Sequence, residues 1–169
     1  MVILGIDPGT ARTGYGLIEI EEKDRGWAKP SFLAYGCVET SSTLSNQKRL
    51  QEIYKELSKI IKKYQPKAIA IEKIFFFKNA KTIIQVSEAR GILLLLVAQK
   101  KIPLYEFTPL QVKMDIVGYG RAQKKQVQEM IKELLGLQKI PKPDDAADAL
   151  AIAVCCSRLI QAQNIGQIS

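Results

Sequence analysis

The stretch Val2-Ile3-Leu4-Gly5-Ile6-Asp7-Pro8-Gly9-Thr10 carries an apolar run directly to an aspartate and then into a tight turn. Its side chains are apolar on both faces, which is typical of a central β-strand over residues 2–7. Side chains alternate along a strand, so Ile3, Gly5 and Asp7 share one side, and Gly5 leaves space beside the acid. A carboxylate at the end of a buried strand is costly to desolvate without partners, which makes Asp7 a candidate functional residue.

Two further strands are predicted after the Pro8-Gly9 turn. Residues 13–20 and 31–40 are rich in Tyr, Leu, Ile, Phe and Val, and the charged stretch 21–26 separates them. Short segments rich in β-branched and aromatic residues, bounded by turn residues, are typical of strands. The pattern predicts an antiparallel meander of three strands that begins with the strand of Asp7.

A helix and a second buried strand follow. Over residues 45–64 apolar side chains recur at helical spacing, with lysines opposite them, and Pro66 ends the pattern. Residues 67–72 alternate alanine with isoleucine, so Ala70 and Glu72 share one side. A second acid is therefore expected at the end of a second buried strand, again beside a small residue.

The next segment contains three consecutive phenylalanines, residues 75–77, in a predicted loop with Lys78 and Lys81 close behind. Two of these rings pack under a neighbouring helix in one interpretation; in the other, one ring is exposed among lysines as a stacking surface for a base. Residues 82–99 are predicted to be helical and are apolar nearly all round. They form either a buried central helix or a helix that packs on another subunit.

A short strand and two helices are predicted next. Residues 104–107 form the strand, Thr108 is an expected N-cap before Pro109, and a helix that carries Lys113 runs to Val117. A further helix is predicted over residues 122–135. Its start holds a basic cluster, which is either a solvated helix face or a phosphate-binding surface. The members of this cluster are Arg121, Lys124 and Lys125.

The final helix, predicted over residues 144–161, begins with a run of aspartates and alanines. Asp145 and Asp148 are three residues apart and therefore point the same way. Acids in a first helical turn are expected for capping, but capping explains Asp148 less well. The intervening alanines let the helix lie close to a sheet, so these two acids can converge with Asp7 and Glu72.

Composition restricts the chemistry that is available. The 169 residues are long enough for one domain with a sizeable core, and 25 basic against 17 acidic residues give a net charge of +8, which favours contact with nucleic acid phosphates. The sequence contains no histidine, so catalysis must use carboxylates, lysines or metal. Its three cysteines lack metal-site spacing and fit a reducing compartment.

Neither a signal peptide nor a membrane-spanning run is expected from the sequence, which predicts a cytoplasmic protein without a membrane partner. A cluster of four carboxylates at neutral pH indicates divalent cations between them, and ligation by oxygen alone favours Mg²⁺ or Mn²⁺. A two-metal site of this kind is suited to phosphodiester hydrolysis without histidine. The sequence therefore predicts a metal-dependent nuclease.

Several motifs, taken in order, resemble the RuvC family of Holliday junction resolvases across nearly the whole chain. They are Gly5-Ile6-Asp7-Pro8-Gly9, Thr13-Gly14-Tyr15-Gly16, Ala70-Ile71-Glu72 with Phe75 and Lys78-Asn79, Gln85 to Gly91, and Asp145-Ala146-Ala147-Asp148-Ala149-Leu150-Ala151. The resemblance implies an α/β, ribonuclease-H-like fold with a five-stranded mixed sheet flanked by helices. We expect a single nuclease domain over residues 1–169, with a flexible tail at its end.

The resemblance also implies an activity and its partners. A homodimer is expected to bind a four-way DNA junction and nick two strands of like polarity symmetrically, in DNA recombination and repair. Two Mg²⁺ ions per active site, for which Mn²⁺ can substitute, are the implied cofactors. RuvA and RuvB, which drive branch migration, are the implied protein partners.

Individual residues take roles from the same resemblance. Asp7, Glu72, Asp145 and Asp148 match the catalytic, metal-binding acids, with Asp144 as a competitor for the place of Asp145. Phe75 matches a base-stacking aromatic residue, and Lys113 and Lys124 match basic residues near the scissile phosphate. The wider set expected to contact DNA is Phe75, Lys78, Lys81, Lys113, Arg121, Lys124 and Lys125.

Two other function classes share part of this pattern. Sugar kinases, actin and the Hsp70 chaperones begin a similar domain with a glycine-flanked acid, but they need two such domains to enclose ATP. A DNA-binding module without catalytic activity is the second alternative. Four converging acids oppose it, because negative charge in a phosphate-binding groove weakens binding.

Overall fold

The computed structural model describes residues 1–21, 27–73 and 80–166. Five strands and five helices follow one another in the described residues. In chain order they are β1 (Val2–Asp7), β2 (Arg12–Glu19), β3 (Ser31–Glu39), α1 (Asn46–Tyr64), β4 (Ala68–Glu72), α2 (Ala80–Lys100), β5 (Leu104–Phe107), α3 (Pro109–Val117), α4 (Lys124–Leu134) and α5 (Asp144–Gly166).

The strands form one mixed sheet in the order β3-β2-β1-β4-β5. The strands β1, β2 and β3 are antiparallel neighbours, which confirms the predicted meander. On the other side of β1, the strands β4 and β5 run parallel to it. The strand that carries Asp7 is therefore central, with a partner on each side.

The two faces of the sheet are covered by different helices, as the alternation along β1 predicts. Ile3 belongs to the core cluster on the side of α5, together with buried residues of α3 and α4. Leu4 and Ile6 belong to the opposite cluster, which is built from α1 and α2. The same division holds for β4, where Ala70 faces α5 and Ile69 and Ile71 face α1 and α2.

Glycines in β1 and β2 let α5 lie unusually close to the sheet. A Cβ atom added at Gly5 would overlap the carbonyl oxygen of Ala149 and lie 2.7 Å from the backbone nitrogen of Ala153. At Gly16, the next strand over, an added Cβ would lie 2.7 Å from the backbone nitrogen of Leu150. Contacts this short leave room for glycine only, so the small residues fix the distance between sheet and helix.

Local hydrogen bonds and backbone geometry explain where helix α3 begins and ends. Thr108 is extended and accepts a hydrogen bond from the backbone N–H of Gln111 at 3.0 Å, while the Gln111 side chain accepts one from the Thr108 N–H at 2.8 Å. This reciprocal pair confirms Thr108 as an N-cap. The helix ends at Gly118, whose φ of 77° lies in the left-handed region that glycine adopts readily.

Helices α5 and α4 have boundaries that differ from the predicted ones, and α2 differs from one prediction in its burial. Helix α5 continues to Gly166, five residues beyond the predicted end, because no proline or glycine interrupts it earlier. Helix α4 begins two residues late, since Gln123 caps it. Helix α2 is not a buried central helix within this chain, because Leu95 is 51% exposed.

No helix in the described part of the chain is both long enough and apolar enough to cross a membrane.

Replacing Gly5 with alanine should destabilise the protein by more than about 3 kcal/mol, because the new methyl group would force α5 away from the sheet. Chemical denaturation of the Gly5→Ala variant measures this loss. A change below about 1 kcal/mol would mean that the contact between β1 and α5 is looser than the structure indicates.

Candidate active site

Two acids lie side by side at one edge of the sheet. Asp7 is the last residue of β1 and Glu72 is the last residue of β4. These strands are parallel neighbours, and their pairing places Ile6 opposite Ile71, one residue before each acid. The predicted meeting of the two carboxylates therefore follows directly from the strand register.

The first turn of α5 brings Asp145 to the same edge. On the other side of Asp7, Gly14 is its partner in β2. A Cβ atom added at Gly14 would lie 2.9 Å from the Cβ atom of Asp145. Asp148 follows one turn later, between the buried Ala147 and the buried Ala149. The sheet and the helix thus gather acids from three separate elements, and we call this place the catalytic edge.

The pKa of Asp7 reflects the closeness of the other acids. Burial raises the pKa of Asp7 well above its usual range, and the negative charges of three neighbouring carboxylates raise it further. In order of their effect these neighbours are Glu72, Asp148 and Asp145. Desolvation and repulsion both disfavour the charged form of Asp7, so its ionisation in the metal-free protein is costly.

One lysine partly offsets the negative charge. The Lys124 Nζ atom lies 2.7 Å from Asp148 Oδ2. Burial raises the pKa of Asp148, and the hydrogen bond from Lys124 opposes this rise. Burial alone would lower the pKa of Lys124, but its hydrogen bond to Asp148 and the surrounding acids raise it. Lys124 therefore stays protonated at the rim of the site.

Asp144 is placed differently from its neighbour Asp145. Its Oδ1 atom accepts a hydrogen bond from Lys142 Nζ at 2.9 Å, and this bond holds its pKa below the usual value. The charge of Asp145, by contrast, is among those that raise the pKa of Asp7. Asp145 therefore faces Asp7, whereas Asp144 is held at the surface, where Lys124 lies 3.9 Å away.

The donor set fits a hard divalent cation. Asp7, Glu72, Asp145 and Asp148 offer only carboxylate oxygens, which suit Mg²⁺, Mn²⁺ or Ca²⁺ better than Zn²⁺. A cation between them would also relieve the repulsion that raises the pKa of Asp7. Within residues 1–21, 27–73 and 80–166, no three His, Cys, Asp or Glu side chains stand at metal-ligand geometry. Rotation of these carboxylates about their side-chain bonds would have to complete such a site.

The other residues predicted to bind DNA divide into three groups. Lys113 is half-buried on α3. This helix starts at the catalytic edge, because it follows Phe107, the last residue of β5, which pairs with Glu72. Arg121 and Lys125 are exposed beside Lys124. The remaining three cannot be placed, since Phe75 and Lys78 lie outside the described residues and the side chain of Lys81 is not described.

Sequence reasoning missed that Cys37 lies next to this site. It pairs with Gly14 across β2 and β3, which places it two strands from Asp7. Burial raises the pKa of the Cys37 thiol to about 11, and the charge of Asp145 contributes to the rise. The thiol therefore remains neutral at physiological pH. The register of the meander was the signal that could have located it.

Comparison with known proteins gives consistent matches over nearly the whole chain. Residues 3–156 match the family described as "Crossover junction endodeoxyribonuclease RuvC". A relative of that name from Caldicellulosiruptor saccharolyticus is 54% identical over 155 residues, which cover 92% of this chain and 91% of the relative.

Two solved structures of RuvC from Thermus thermophilus are also similar to this chain. The first has a TM-score of 0.87 at 32% identity and covers 97% of this chain and 98% of its own. The second, described as in complex with Holliday junction substrate, has a TM-score of 0.87 at 30% identity and covers 97% of both chains. These matches confirm the expected ribonuclease-H-like fold.

The raised pKa of Asp7 predicts how stability depends on pH without metal. The unfolded chain releases the proton of Asp7 near pH 3.9, whereas the folded protein keeps it to higher pH. Between these two values the folded state binds more protons, so the free energy of unfolding due to Asp7 falls as pH rises.

Replacing Asp7 with asparagine should therefore stabilise the metal-free protein at pH 7, because Asp7 ionises readily only in the unfolded chain and asparagine does not ionise in either state. Thermal unfolding in EDTA, compared across pH for the parent and Asp7→Asn, measures the difference. Equal stability of the two proteins at every pH would show that Asp7 bears no such cost.

Proposed function

The chain belongs to the RuvC family of crossover junction endodeoxyribonucleases, and we propose that the acids of the catalytic edge carry out the family's reaction. The protein is a nuclease that hydrolyses phosphodiester bonds at Holliday junctions in DNA recombination and repair. The observation that supports the residue assignment most is the raised pKa of Asp7, which has the charges of Glu72, Asp148 and Asp145 among its causes.

The family uses divalent metal, and the oxygen ligands favour two Mg²⁺ ions per site, with Mn²⁺ as a substitute. Asp7, Glu72, Asp145 and Asp148 would hold them. When bound, such ions supply hydroxide formed from water and stabilise the leaving 3′ oxygen. Asp7 is the central ligand in this scheme, because it lies between β4 and the first turn of α5.

Basic residues around the acids hold the DNA backbone in this proposal. Lys124, which forms an ion pair with Asp148, contacts a phosphate at the site of cleavage in this proposal. Lys113, Arg121 and Lys125 extend the positive charge along α3 and α4. Phe75 stacks on an opened base at the crossover, and Lys78 and Lys81 hold the neighbouring phosphates.

The geometry of the acids favours a nuclease over the two alternatives. A DNA-binding module without activity would gain nothing from a pit of carboxylates, because they repel phosphates. The match of residues 3–156 to the RuvC family opposes an ATP-dependent enzyme of the kinase or chaperone type.

A homodimer is expected to form through α2. Ser87, Gly91, Leu95 and Ala98 recur at helical spacing and are exposed, and we call them the α2 stripe. A Cβ atom added at Gly91 would meet nothing within 4 Å among the described residues, so no contact there requires glycine. Glycine within a helix costs about 1 kcal/mol relative to alanine. Close approach of a second copy of the chain would explain why glycine occupies this position.

The wider setting follows from the family. The substrate is a four-way junction, on which two copies of the chain nick strands of like polarity symmetrically. The branch-migration proteins RuvA and RuvB are the proposed partners, and the cytoplasm is the proposed location.

Asp145 and Asp144 provide a matched test of the site. Asp145→Asn should reduce cleavage of a synthetic four-way junction in Mg²⁺ by at least about a hundredfold, because it removes a metal ligand. Asp144→Asn should cleave within about threefold of the parent, since Asp144 is paired with Lys142. Junction binding should persist in both variants. The reverse order of activities would assign the role to Asp144.

Dimerisation can be tested on the α2 stripe. Leu95→Lys should raise the dimer dissociation constant by at least about tenfold, because it places a charge in the centre of an apolar contact. Leu110→Lys, at a residue on α3 that is 60% exposed, is the control and should leave the dimer intact. Sedimentation velocity at micromolar concentration reads out both. A parent chain that is monomeric there would refute the proposal.

A further inference from the structure

A groove on the helical layer of α1 and α2 is lined by four lysines. Three of them, Lys55, Lys59 and Lys62, come from α1, and Lys100 comes from the end of α2. The groove has a volume of about 700 Å³, and Glu52 is the one acid among the described residues that line it. Its walls are therefore strongly positive.

This groove lies away from the catalytic edge. Helix α1 starts near that edge, where Arg49 donates to the Thr40 hydroxyl at 2.8 Å just beyond the end of β3. The chain after α1 reaches the opposite edge, where the Lys67 N–H donates to the Val2 carbonyl at 2.9 Å. At 1.5 Å per residue, Lys55 and Lys62 lie roughly 14 Å and 24 Å along the helix axis from Asn46. The lysines are thus separate from the acidic site.

Among the described residues, most of the lysines in the groove have no ion-pair partner. Lys59 pairs with Glu56 at 2.7 Å. In the part of the chain that the structure describes, no acid lies within ion-pair distance of Lys55 or Lys62. Lysines without an acidic partner are available to an anion from outside.

The groove also contains an unpaired polar atom. The Ser58 hydroxyl oxygen is buried and has no hydrogen-bond partner among the described residues. Beside it, the Tyr54 hydroxyl donates to Gln99 Oε1 at 2.7 Å and ties α1 to α2. A buried hydroxyl without a hydrogen-bond partner is destabilising unless another molecule satisfies it. A ligand with acceptor oxygens would provide that partner.

We propose that this groove binds the phosphate backbone of a DNA arm, at a distance from the strand crossover. Lys55 and Lys62 are about 10 Å apart along the helix axis, a span that covers about three phosphates at 3.4 Å per phosphate of one strand. The Ser58 hydroxyl is buried in the free protein, and rotation of its side chain would let it donate to a phosphate oxygen between them. The inference rests on the proposed junction substrate, and it assigns to the arms a contact that the catalytic edge does not make.

Arm length is the variable that tests this contact. Binding is measured in EDTA with four-way junctions whose arms are about 8 or about 25 base pairs long, over a range of salt concentrations. The parent should bind the long-armed junction on the order of tenfold more tightly. Its plot of log affinity against log salt should be steeper by about 2, since each neutralised phosphate contributes about 0.9.

The double variant Lys55→Gln/Lys62→Gln should lose both the gain in affinity and the added salt dependence. Its binding and Mg²⁺-dependent cleavage of the short-armed junction should equal those of the parent. The matched control Lys29→Gln/Lys139→Gln removes two exposed lysines elsewhere and should keep the gain. The inference would be overturned if Lys55→Gln/Lys62→Gln still bound the long-armed junction more tightly than the short-armed one. It would also be overturned if the parent showed no such difference.

Failure of the proposed function would look different, because the parent would then not cleave the short-armed junction at all. Ser58→Ala gives an independent check. It should raise the thermal unfolding temperature, because an orphaned hydroxyl is removed, and it should weaken long-arm binding about two- to threefold. If Ser58→Ala bound the long-armed junction as tightly as the parent, Ser58 would not contact the DNA.

Discussion

The repulsion among carboxylates around Asp7 is the constraint on which the rest of the structure depends. Asp7 is buried, and the charges of Glu72, Asp148 and Asp145 all oppose its ionisation. Such a cluster forms only if the remainder of the fold supplies enough stability to hold it together. The apolar cores on the two faces of the sheet provide that stability.

The distance between α5 and the sheet connects the fold to the chemistry. Gly5 and Gly14 allow the backbone of α5 to lie against β1 and β2, and Asp145 lies directly over Gly14. A larger residue at either glycine would move the helix and with it the acids of its first turns. Gly5 therefore controls where the acids of α5 lie, although it offers no functional group itself.

Much of the fold could be predicted from the sequence, because the two-residue alternation in β1 and β4 specified which side chains share a face. The convergence of the acids followed from the same alternation and from the alanines of α5. The ion pair between Lys124 and Asp148 could not be predicted, since it depends on how α4 packs against α5. The separation of Asp144 from Asp145 likewise depends on Lys142, whose direction no sequence pattern specifies.

The central claim is that the cluster around Asp7 cuts four-way junctions with the help of divalent cations. The most direct measurement is cleavage of a synthetic four-way junction, beside a linear duplex of the same sequence, in Mg²⁺ and in EDTA. We expect paired, symmetric nicks in the junction, only in Mg²⁺, and an intact duplex. Cleavage in EDTA, or equal cleavage of the linear duplex, would contradict the central claim.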